Sequence, residues 1–375
     1  MIVQTDVLIN KIHKQIAIWL FICCFTIFTI VILGGATRLT GSGLSIAKLH
    51  LFRGVIPPMS QGDWEKAFNE YKLTAEYKIT YKEKMNIDTF KSIFWLEYIH
   101  RFVGRFLAAF IFFIPFLYFL IRYFFIKKII SRSLIIKLLL MFALGGLQAL
   151  LGWLMVESGL DTKTAHIQGE NVHVSPYRLV LHLVFAFIIY AYILWVALQL
   201  YFPKPNNVLG VNFKGLRRFG YLVTAWIFIT VISGGFVAGI RGGLVYQTFP
   251  LMHGFFIPPD LFNPQIEGSV LNNFFLNQTT VQFDHRILAI LLFFVTLTFW
   301  ISSFKYKLSN KSKILFHSIL IIIITQITFG ILTLLNFVPK SLLTITLATI
   351  HQGIALILFT ISIIINFKLR QLKDM

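Results

Sequence analysis

The 375-residue chain contains only two cysteines, Cys23 and Cys24. They are adjacent inside an apolar run, so they cannot join two outer loops, and neither a CxxC pair nor a cysteine-rich metal site can form. Acidic residues are also scarce, with 15 Asp and Glu against 34 Lys and Arg. All charged residues together make up 13% of the chain, which is too few for an ordinary soluble domain.

The first residues, "MIVQTDVLINKIHKQ", lack the basic start and cleavage site of a signal peptide and the Arg and Ser of a transit peptide. We therefore expect the first apolar span to be retained in the mature protein.

Apolar residues are abundant, at 57% of the chain, and the mean hydropathy is +0.76. Eight apolar runs have a length of about 20 residues, which is what a membrane-spanning helix needs. They lie near 16–36, 95–120, 133–155, 177–200, 217–238, 281–302, 313–335 and 341–366. The sequence therefore predicts an all-α integral membrane protein with eight transmembrane helices.

The positive charges are unevenly distributed between the two membrane sides. With eight spans both termini share one side, and that side holds 18 Lys and Arg opposed only by Asp6 and Asp374. The other side has 16 basic and 13 acidic residues, and most of those basic residues fall in or beside one long loop. This pattern places both termini in the cytoplasm, or in the matrix of a mitochondrion, and predicts a multi-pass protein of the bacterial inner (plasma) membrane. Because the bias alternates loop by loop, it does not indicate a nucleic acid partner.

The chain also repeats itself. "VILGGATRLTGSGL" begins at Val31 and "VISGGFVAGIRGGL" begins at Val231, and six of their residues coincide. Further matches are "EYIHRFVGR" with "QFDHRILAI", "QALLG" with "QITFG", and "LVLHLVFA" with "LATIHQGIA". The order of these matches predicts two pseudo-symmetric four-helix bundles in tandem, at 1–202 and 217–375, joined by an inner linker at 203–216.

Four of the ten histidines share the outer ends of alternate spans, two in each half: His100, His182, His285 and His351. A paired imidazole site in a four-helix bundle is a standard way of holding a haem iron from both faces. Zinc needs three or four ligands, and no third partner recurs with these pairs. A proton relay or plain hydrogen bonds between helices are the remaining alternatives.

The neighbours of these histidines favour haem. Small residues lie one helical turn beyond three of them, at Gly104, Ala186 and Ala355, and would leave room for a flat macrocycle. Haem propionates need cations or water. Arginines at the outer helix ends could contact propionates or simply extend to the membrane interface, and they are Arg38, Arg101, Arg178, Arg241 and Arg286.

Between about residues 34 and 357 the chain resembles the haem A synthase family in its alphaproteobacterial and mitochondrial form. The resemblance rests on the ordered motifs "GGATRLTGSGLS", "GVIPP", "AEYK", "EYIHRFVGR", "GWLMVESGL", "VSPYRLVLHL", "GGFVAGIRGGLVYQTFPLM", "FDHR" and "ATIHQGIAL". It implies an oxidoreductase that converts one ring methyl of haem O to a formyl group. The family reaction proceeds through successive hydroxylations, with oxygen from water, and gives haem A for cytochrome c oxidase.

The resemblance also implies a division of labour between the halves. The N-terminal half would be catalytic, with His100 and His182 flanking the substrate haem O. The C-terminal half would hold a haem b cofactor through His285 and His351. Haem O synthase and an electron acceptor are the expected partners, and a homo-oligomer is an option.

Glu97 is the residue that distinguishes the halves. It lies three residues before His100 on the same helix face, whereas Gln282 precedes His285. A carboxylate there could stabilise positive charge on an oxidised methyl, bind it transiently, or take a proton from water. An ion pair with Arg101 is the simpler alternative. Asp284 is adjacent to His285 and off its face, so we do not treat it as the counterpart of Glu97.

The chain departs from the family in lacking an outer-loop cysteine pair and in having Leu49 where an aromatic residue is expected. The position of the long outer loop at 39–92 suggests a lid over the active site.

Two other classes of protein share these features. A quinol-oxidising cytochrome b would also carry paired histidines, and the residues alone support it nearly as well as a haem A synthase. Such cytochromes, however, usually spread their haems across both membrane faces. A transporter would share the tandem repeat, but it would need charged residues or broken helices near the bilayer centre.

Overall fold

The computed structural model describes residues 2–47, 56–82, 84–160, 166–168, 171–203, 213–261 and 270–371, without the side chains of 2–6, 166–168, 270 and 371. Its helices are α1 (Ile2–Thr40), α2 (Gln61–Tyr71), α3 (Ile87–Ile126), α4 (Arg132–Leu160), α5 (Pro176–Tyr201), α6 (Lys214–Gly239), α7 (Asn273–Leu276), α8 (Gln278–Ser303), α9 (Asn310–Leu335) and α10 (Leu342–Gln371). Two short strands, β1 (His166–Gln168) and β2 (Asn171–His173), form an antiparallel hairpin. Single turns of other helix types lie at Glu76–Thr80, Gly242–Leu244 and Val270–Asn272.

In the described ranges eight helices are long and apolar enough to cross a membrane: α1, α3, α4, α5, α6, α8, α9 and α10. Each of the eight apolar runs falls on one of these helices. Most helices extend past the run that predicts them, because polar flanking residues continue the helix beyond the hydrocarbon region. The predicted class, an all-α multi-pass membrane protein, is confirmed.

Helix α3 changes its winding along its length. It is α-helical over Ile87–Phe106, π-helical over Leu107–Phe113, α-helical again over Ile114–Phe119, and π-helical at its end. Pro115 lies in the second α-helical segment and has no N–H to donate to the preceding turn. The wide turns on either side let neighbouring carbonyls find other donors, so the helix continues through the proline.

The chain divides into two compact units, Met1–Ile12 with Phe21–Tyr190 and His13–Leu20 with Ala191–Met375. In the second unit α6 packs against α8 and α10, and α9 packs against the same two helices, so these four helices form a closed ring. The domain bounds predicted from the repeat remain a prediction, and residues 204–212 of the predicted linker lie outside the described part of the chain.

Outer segments of the first unit pack on the start of α3. Helix α2 begins with a capping box, in which Ser60 and Asp63 satisfy each other's backbone N–H. Its buried Phe68 and Tyr71 stack against Phe90 of α3, with ring centroids 5.2 and 5.1 Å away. These aromatic contacts fix the entry of α3, which carries the first candidate histidine about three turns beyond Phe90.

A polar contact locks α10 to α6 in the second unit. The buried Asn366 amide donates to Gly220 O (3.2 Å) and to Thr224 Oγ1 (2.7 Å). A Cβ at Gly220 would lie 2.3 Å from Asn366 Oδ1 and 3.3 Å from the Phe299 ring.

Gly220→Ala should therefore destabilise the C-terminal bundle by about 1–3 kcal/mol through overpacking. The measurement is the thermal unfolding midpoint in detergent. Gly145→Ala in α4 is the matched control, because a Cβ there meets nothing within 4 Å and alanine favours helix. Equal midpoints for the two variants would contradict the role of this contact.

Candidate functional site

The structure places the four candidate histidines as two pairs. His100 on α3 and His182 on α5 interact electrostatically in the first unit, and His285 on α8 and His351 on α10 do so in the second. All four imidazoles are partly buried. Each unit thus brings together two imidazoles from two different helices, as the repeat predicts.

A glycine on a neighbouring helix lies against each imidazole. A Cβ at any of these glycines would approach the ring Cε1 to 3.0 Å or less, and the contacts are Gly34 with His100 (3.0 Å), Gly152 with His182 (2.8 Å), Gly234 with His285 (3.0 Å) and Gly330 with His351 (2.9 Å). Any larger side chain would displace the ring, because the helices are packed without spare volume. The glycines stand in the repeated motifs, but the sequence did not reveal that they contact the histidines.

The C-terminal pair has oxygen partners for both Nδ1 atoms. Ser233 Oγ lies 2.8 Å from His285 Nδ1, and the carbonyl of Gln326 lies 3.0 Å from His351 Nδ1. An imidazole that donates from Nδ1 keeps the lone pair of Nε2 for a metal. These oxygens orient both rings, and Gln326 Nε2 also lies 3.3 Å from His351 Nε2.

The two N-terminal imidazoles differ from each other in their partners. The Gln148 amide nitrogen lies 3.2 Å from His182 Nδ1 and 3.4 Å from its Nε2. Nδ1 of His100 is buried and makes no hydrogen bond within the described residues. Gln148 and its repeat counterpart Gln326 each leave a buried Oε1 without a partner in those residues.

These residues fit a haem better than a bare metal ion. The described residues contain no group of three or more His, Cys, Asp or Glu side chains that could hold a metal ion. Iron inside a macrocycle needs only the two axial ligands that each pair offers. Beside His100, a Cβ at Gly104 would meet nothing within 4 Å, so the room predicted for a macrocycle is open on that face.

Glu97 is buried, with 2% of its surface exposed, and both carboxylate oxygens are satisfied. Oε2 accepts from Ser45 Oγ (2.6 Å) and from the N–H of Ile46 (2.9 Å). Oε1 accepts from Arg101 (2.5 Å), which also donates to the Ile46 carbonyl (3.1 Å). The ion pair weighed as an alternative is present, and the carboxylate also holds the segment that follows α1. All its partners donate, which suits an ionised carboxylate.

We call the hydrogen bonds that join Glu97 and Arg101 to Ser45 and Ile46 a clamp. The C-terminal half contains a similar clamp with an amide in place of the carboxylate. Gln282 Nε2 donates to the carbonyls of Gly242 (2.7 Å) and Val245 (2.6 Å), and its Oε1 accepts from Arg286 (3.0 Å). Arg286 donates further to the carbonyl of Tyr246 (2.6 Å). The two clamps join equivalent positions of the repeat, so they differ chiefly in the negative charge of Glu97.

The five arginines proposed as propionate contacts have the following surroundings. Arg101 and Arg286 donate to the clamps, and Arg178 donates to the carbonyl of Leu154 (2.6 Å). Arg38 lies in the last turn of α1, and Arg241 follows α6 with a left-handed φ of 53°. Arg101 and Arg286 thus lie inside their helices, Ile87–Ile126 and Gln278–Ser303, and not at the ends. Contact of the five arginines with propionates remains a prediction.

Sequence reasoning missed an acidic residue that supports the C-terminal site. Asp260 accepts from Thr279 Oγ1 (2.6 Å) at the start of α8 and from the Tyr246 hydroxyl. Burial opposes the charge of Asp260, but these hydrogen bonds outweigh it and lower the pKa of its carboxyl below the usual value. The same contact raises the pKa of Tyr246 to about 12. In the sequence Asp260 is one of two acidic residues between α6 and α8, the other being Glu267, and nothing there links it to Thr279.

In the described residues, eight helices long and apolar enough to cross a membrane, with a histidine pair in each unit, define a multi-pass membrane protein. The family model described as "Cytochrome oxidase assembly protein", COX15-CtaA, matches residues 17–363. The chain belongs to this family.

Named relatives agree over nearly the whole chain. The "Heme A synthase" of Nitrosospira multiformis is 46% identical over 98% of this chain and 99% of its own length. The "Heme A synthase" of Nitrosomonas eutropha is 45% identical over 95% of this chain and 94% of its own length. The "Heme A synthase COX15" of Arabidopsis thaliana is 39% identical over 96% of this chain and 75% of its own length. The family recognised from the sequence motifs is confirmed.

The Asp260 contact gives a pH-dependent prediction. A carboxyl whose pKa is depressed in the folded protein stabilises it above the unfolded pKa of about 4, and this contribution is lost as the pH falls through the folded pKa. Asp260→Asn should therefore lower the thermal unfolding midpoint at pH 7, and the difference from wild type should narrow below pH about 4. Asp88→Asn, at a side chain that is 83% exposed, is the control. A difference that is constant with pH would show that the Asp260 charge contributes nothing.

Proposed function

We propose that this chain is a haem A synthase, an oxidoreductase that converts a ring methyl of haem O to a formyl group and so supplies haem A for cytochrome c oxidase. Family membership and the names of its relatives support this function. The observation that carries the mechanism is the duplicated imidazole pair, which has the Glu97 carboxylate beside it in one half and the Gln282 amide in the other. The first half thus differs from the second in having a buried carboxylate one helical turn before its first histidine.

The N-terminal half would bind haem O between His100 and His182. Glu97 lies on the same face of α3 as His100, one turn before it, and the Ser45, Ile46 and Arg101 donors fix its orientation. A carboxylate held in this way can stabilise positive charge on an oxidised methyl or accept a proton from the attacking water. Glu97 is therefore the proposed catalytic residue.

The C-terminal half would hold haem b through His285 and His351. When bound, this haem supplies a one-electron redox centre. The chain's own contribution is to orient the two imidazoles through Ser233 and Gln326, with Gly234 and Gly330 packed against the rings. Arg38, Arg178 and Arg241, with Arg101 and Arg286, are the proposed propionate contacts.

The reaction requires partners. Converting a methyl and a water molecule to a formyl group releases four electrons and four protons, so an electron acceptor must take part. Haem O synthase is the proposed supplier of the substrate, and a homo-oligomer is a further proposal. The described parts of the predicted lid that precede α3, residues 39–47 and 56–82, pack on the start of α3 and supply Ser45 and Ile46 to Glu97, which supports a role for them at the active site. Residues 48–55 and 83 of the predicted lid lie outside the described part of the chain.

A b-type cytochrome that passes electrons from quinol to another membrane protein is the second candidate. The paired imidazoles would serve it equally well. It gives no reason for a buried carboxylate in one half where the other half has an amide.

Glu97→Gln should reduce haem A formation by about a hundredfold or more, because an amide can neither carry the charge nor accept with both heteroatoms. The measurement is haem extraction and chromatography from membranes that co-express the chain with a haem O source. Haem A should be absent or replaced by a hydroxylated intermediate, while haem b content is unchanged. Asp284→Asn is the matched control, an acid beside His285 that is off the histidine face, and it should retain haem A formation.

If Glu97→Gln formed haem A at the wild-type level, the role of Glu97 would be structural and not catalytic. A wild-type chain that yields only haem b, reducible by quinol, would favour the cytochrome instead.

We also propose the bacterial inner membrane as the location, with both termini in the cytoplasm, because 18 Lys and Arg lie on that side. A reporter that is active only outside the cytoplasm should therefore be inactive when fused after the last residue and active when inserted at residue 256, in the outer loop before α8. The reverse pattern would invert the proposed orientation.

A further inference from the structure

The two halves differ in the side chain at the position that, in the C-terminal half, contacts Nδ1 of the first histidine of the pair. In the C-terminal half Ser233 Oγ lies 2.8 Å from His285 Nδ1 and also donates to the carbonyl of Thr230 (2.8 Å). With its hydroxyl proton donated to Thr230, Ser233 Oγ is able to accept a proton from His285 Nδ1. Such a hydrogen bond holds the ring and favours the tautomer that leaves Nε2 for iron.

The N-terminal half lacks this hydroxyl. The repeat places Leu33 where the C-terminal half has Ser233, at the same offset of 200 residues that relates Gly34 to Gly234. Nδ1 of His100 is buried and has no hydrogen-bond partner within the described residues. The carbonyl of Ile30, the counterpart of Thr230, lies beside the His100 ring, as the carbonyl of Thr230 lies beside the His285 ring.

We propose that Ser233 is a positioning residue that makes His285 a permanent haem ligand, and that Leu33 leaves His100 free to exchange its haem. A ligand imidazole that donates from its second nitrogen is more basic and binds metal about 10–100-fold more tightly than one without that acceptor. The N-terminal site must take up haem O and release haem A at every turnover, whereas the C-terminal site must keep its haem b. The inference rests on the proposed function of the two halves.

The packing around the imidazoles of His100 and His285 is alike in the two halves. The glycines behind His100 and His285 both place a hypothetical Cβ at 3.0 Å from ring Cε1. The clamps around Glu97 and Gln282 hold the same turn of their helices in the same way. The hydroxyl is therefore the difference between the two rings that bears directly on how firmly each imidazole is held.

The test uses purified full-length protein loaded with its haems. The rate of haem loss to excess apomyoglobin is followed by chromatography, which separates haem b from haems O and A, and the midpoint potential of haem b is measured by redox titration. Ser233→Ala should release haem b about tenfold faster. Its haem b potential should rise, because a less basic imidazole stabilises the ferric iron less. Ser233→Thr retains the hydroxyl and should behave as wild type.

Leu33→Ser is the reciprocal variant and should slow the release of haem O and haem A by about tenfold. A merely structural role for Ser233 would alter thermal stability without moving the haem b potential. Unchanged haem b release and potential in Ser233→Ala would overturn the proposal, as would unchanged release of haems O and A in Leu33→Ser.

His285→Ala separates the proposal from the function on which it rests. Loss of haem b in that variant, with Ser233→Ala unchanged, would reject only the role of Ser233. Retention of haem b with an unaltered spectrum would instead reject the C-terminal haem site itself. If Ser233→Ala does not fold, Ser233→Thr and Leu33→Ser still decide the matter.

Discussion

The placement of four imidazoles near the outer ends of apolar helices is the constraint on which the rest of this structure depends. A polar ring in a bilayer must find its partners inside the protein, because the hydrocarbon offers none. The chain meets this requirement by packing a glycine from the next helix against each ring, which brings the helix backbone within reach of the imidazole. The His351–Gln326 contact shows the result, since a helix carbonyl accepts directly from Nδ1 at 3.0 Å.

The sequence repeat gives the two halves the same arrangement of hydrogen bonds around the first histidine of each pair. Both halves hold the helix turn before the first histidine with an arginine and a clamp to the preceding outer segment. Within that arrangement the replacement of Gln282 by Glu97 adds a buried negative charge, and the replacement of Ser233 by Leu33 removes an acceptor behind the imidazole. These two differences at equivalent positions are what we propose separates a reacting haem site from a haem-holding one.

The outer segment of the first unit shows how a loop can belong to a buried site. Ser45 and Ile46 are more than 50 residues from Glu97 in sequence, yet they provide two of the three donors to its carboxylate. The aromatic packing of Phe68 and Tyr71 on Phe90 secures the remainder of the segment to α3. A carboxylate enclosed in this manner is shielded from bulk water, which strengthens every electrostatic interaction that it makes.

The sequence by itself determined the eight spans, the tandem repeat, the four histidines and the contrast between Glu97 and Gln282. Hydropathy and helical periodicity act within a single helix, so they are legible from a linear chain. Tertiary structure alone decided which glycine meets which ring and that Ser45 and Ile46 reach Glu97. It also decided that Asp260 ties an outer loop to α8, and that a hydroxyl, Ser233 Oγ, lies against His285 Nδ1. These contacts join segments that are distant in sequence. Their partners are set by how neighbouring helices pack, and the period of one helix carries no information about the helix beside it.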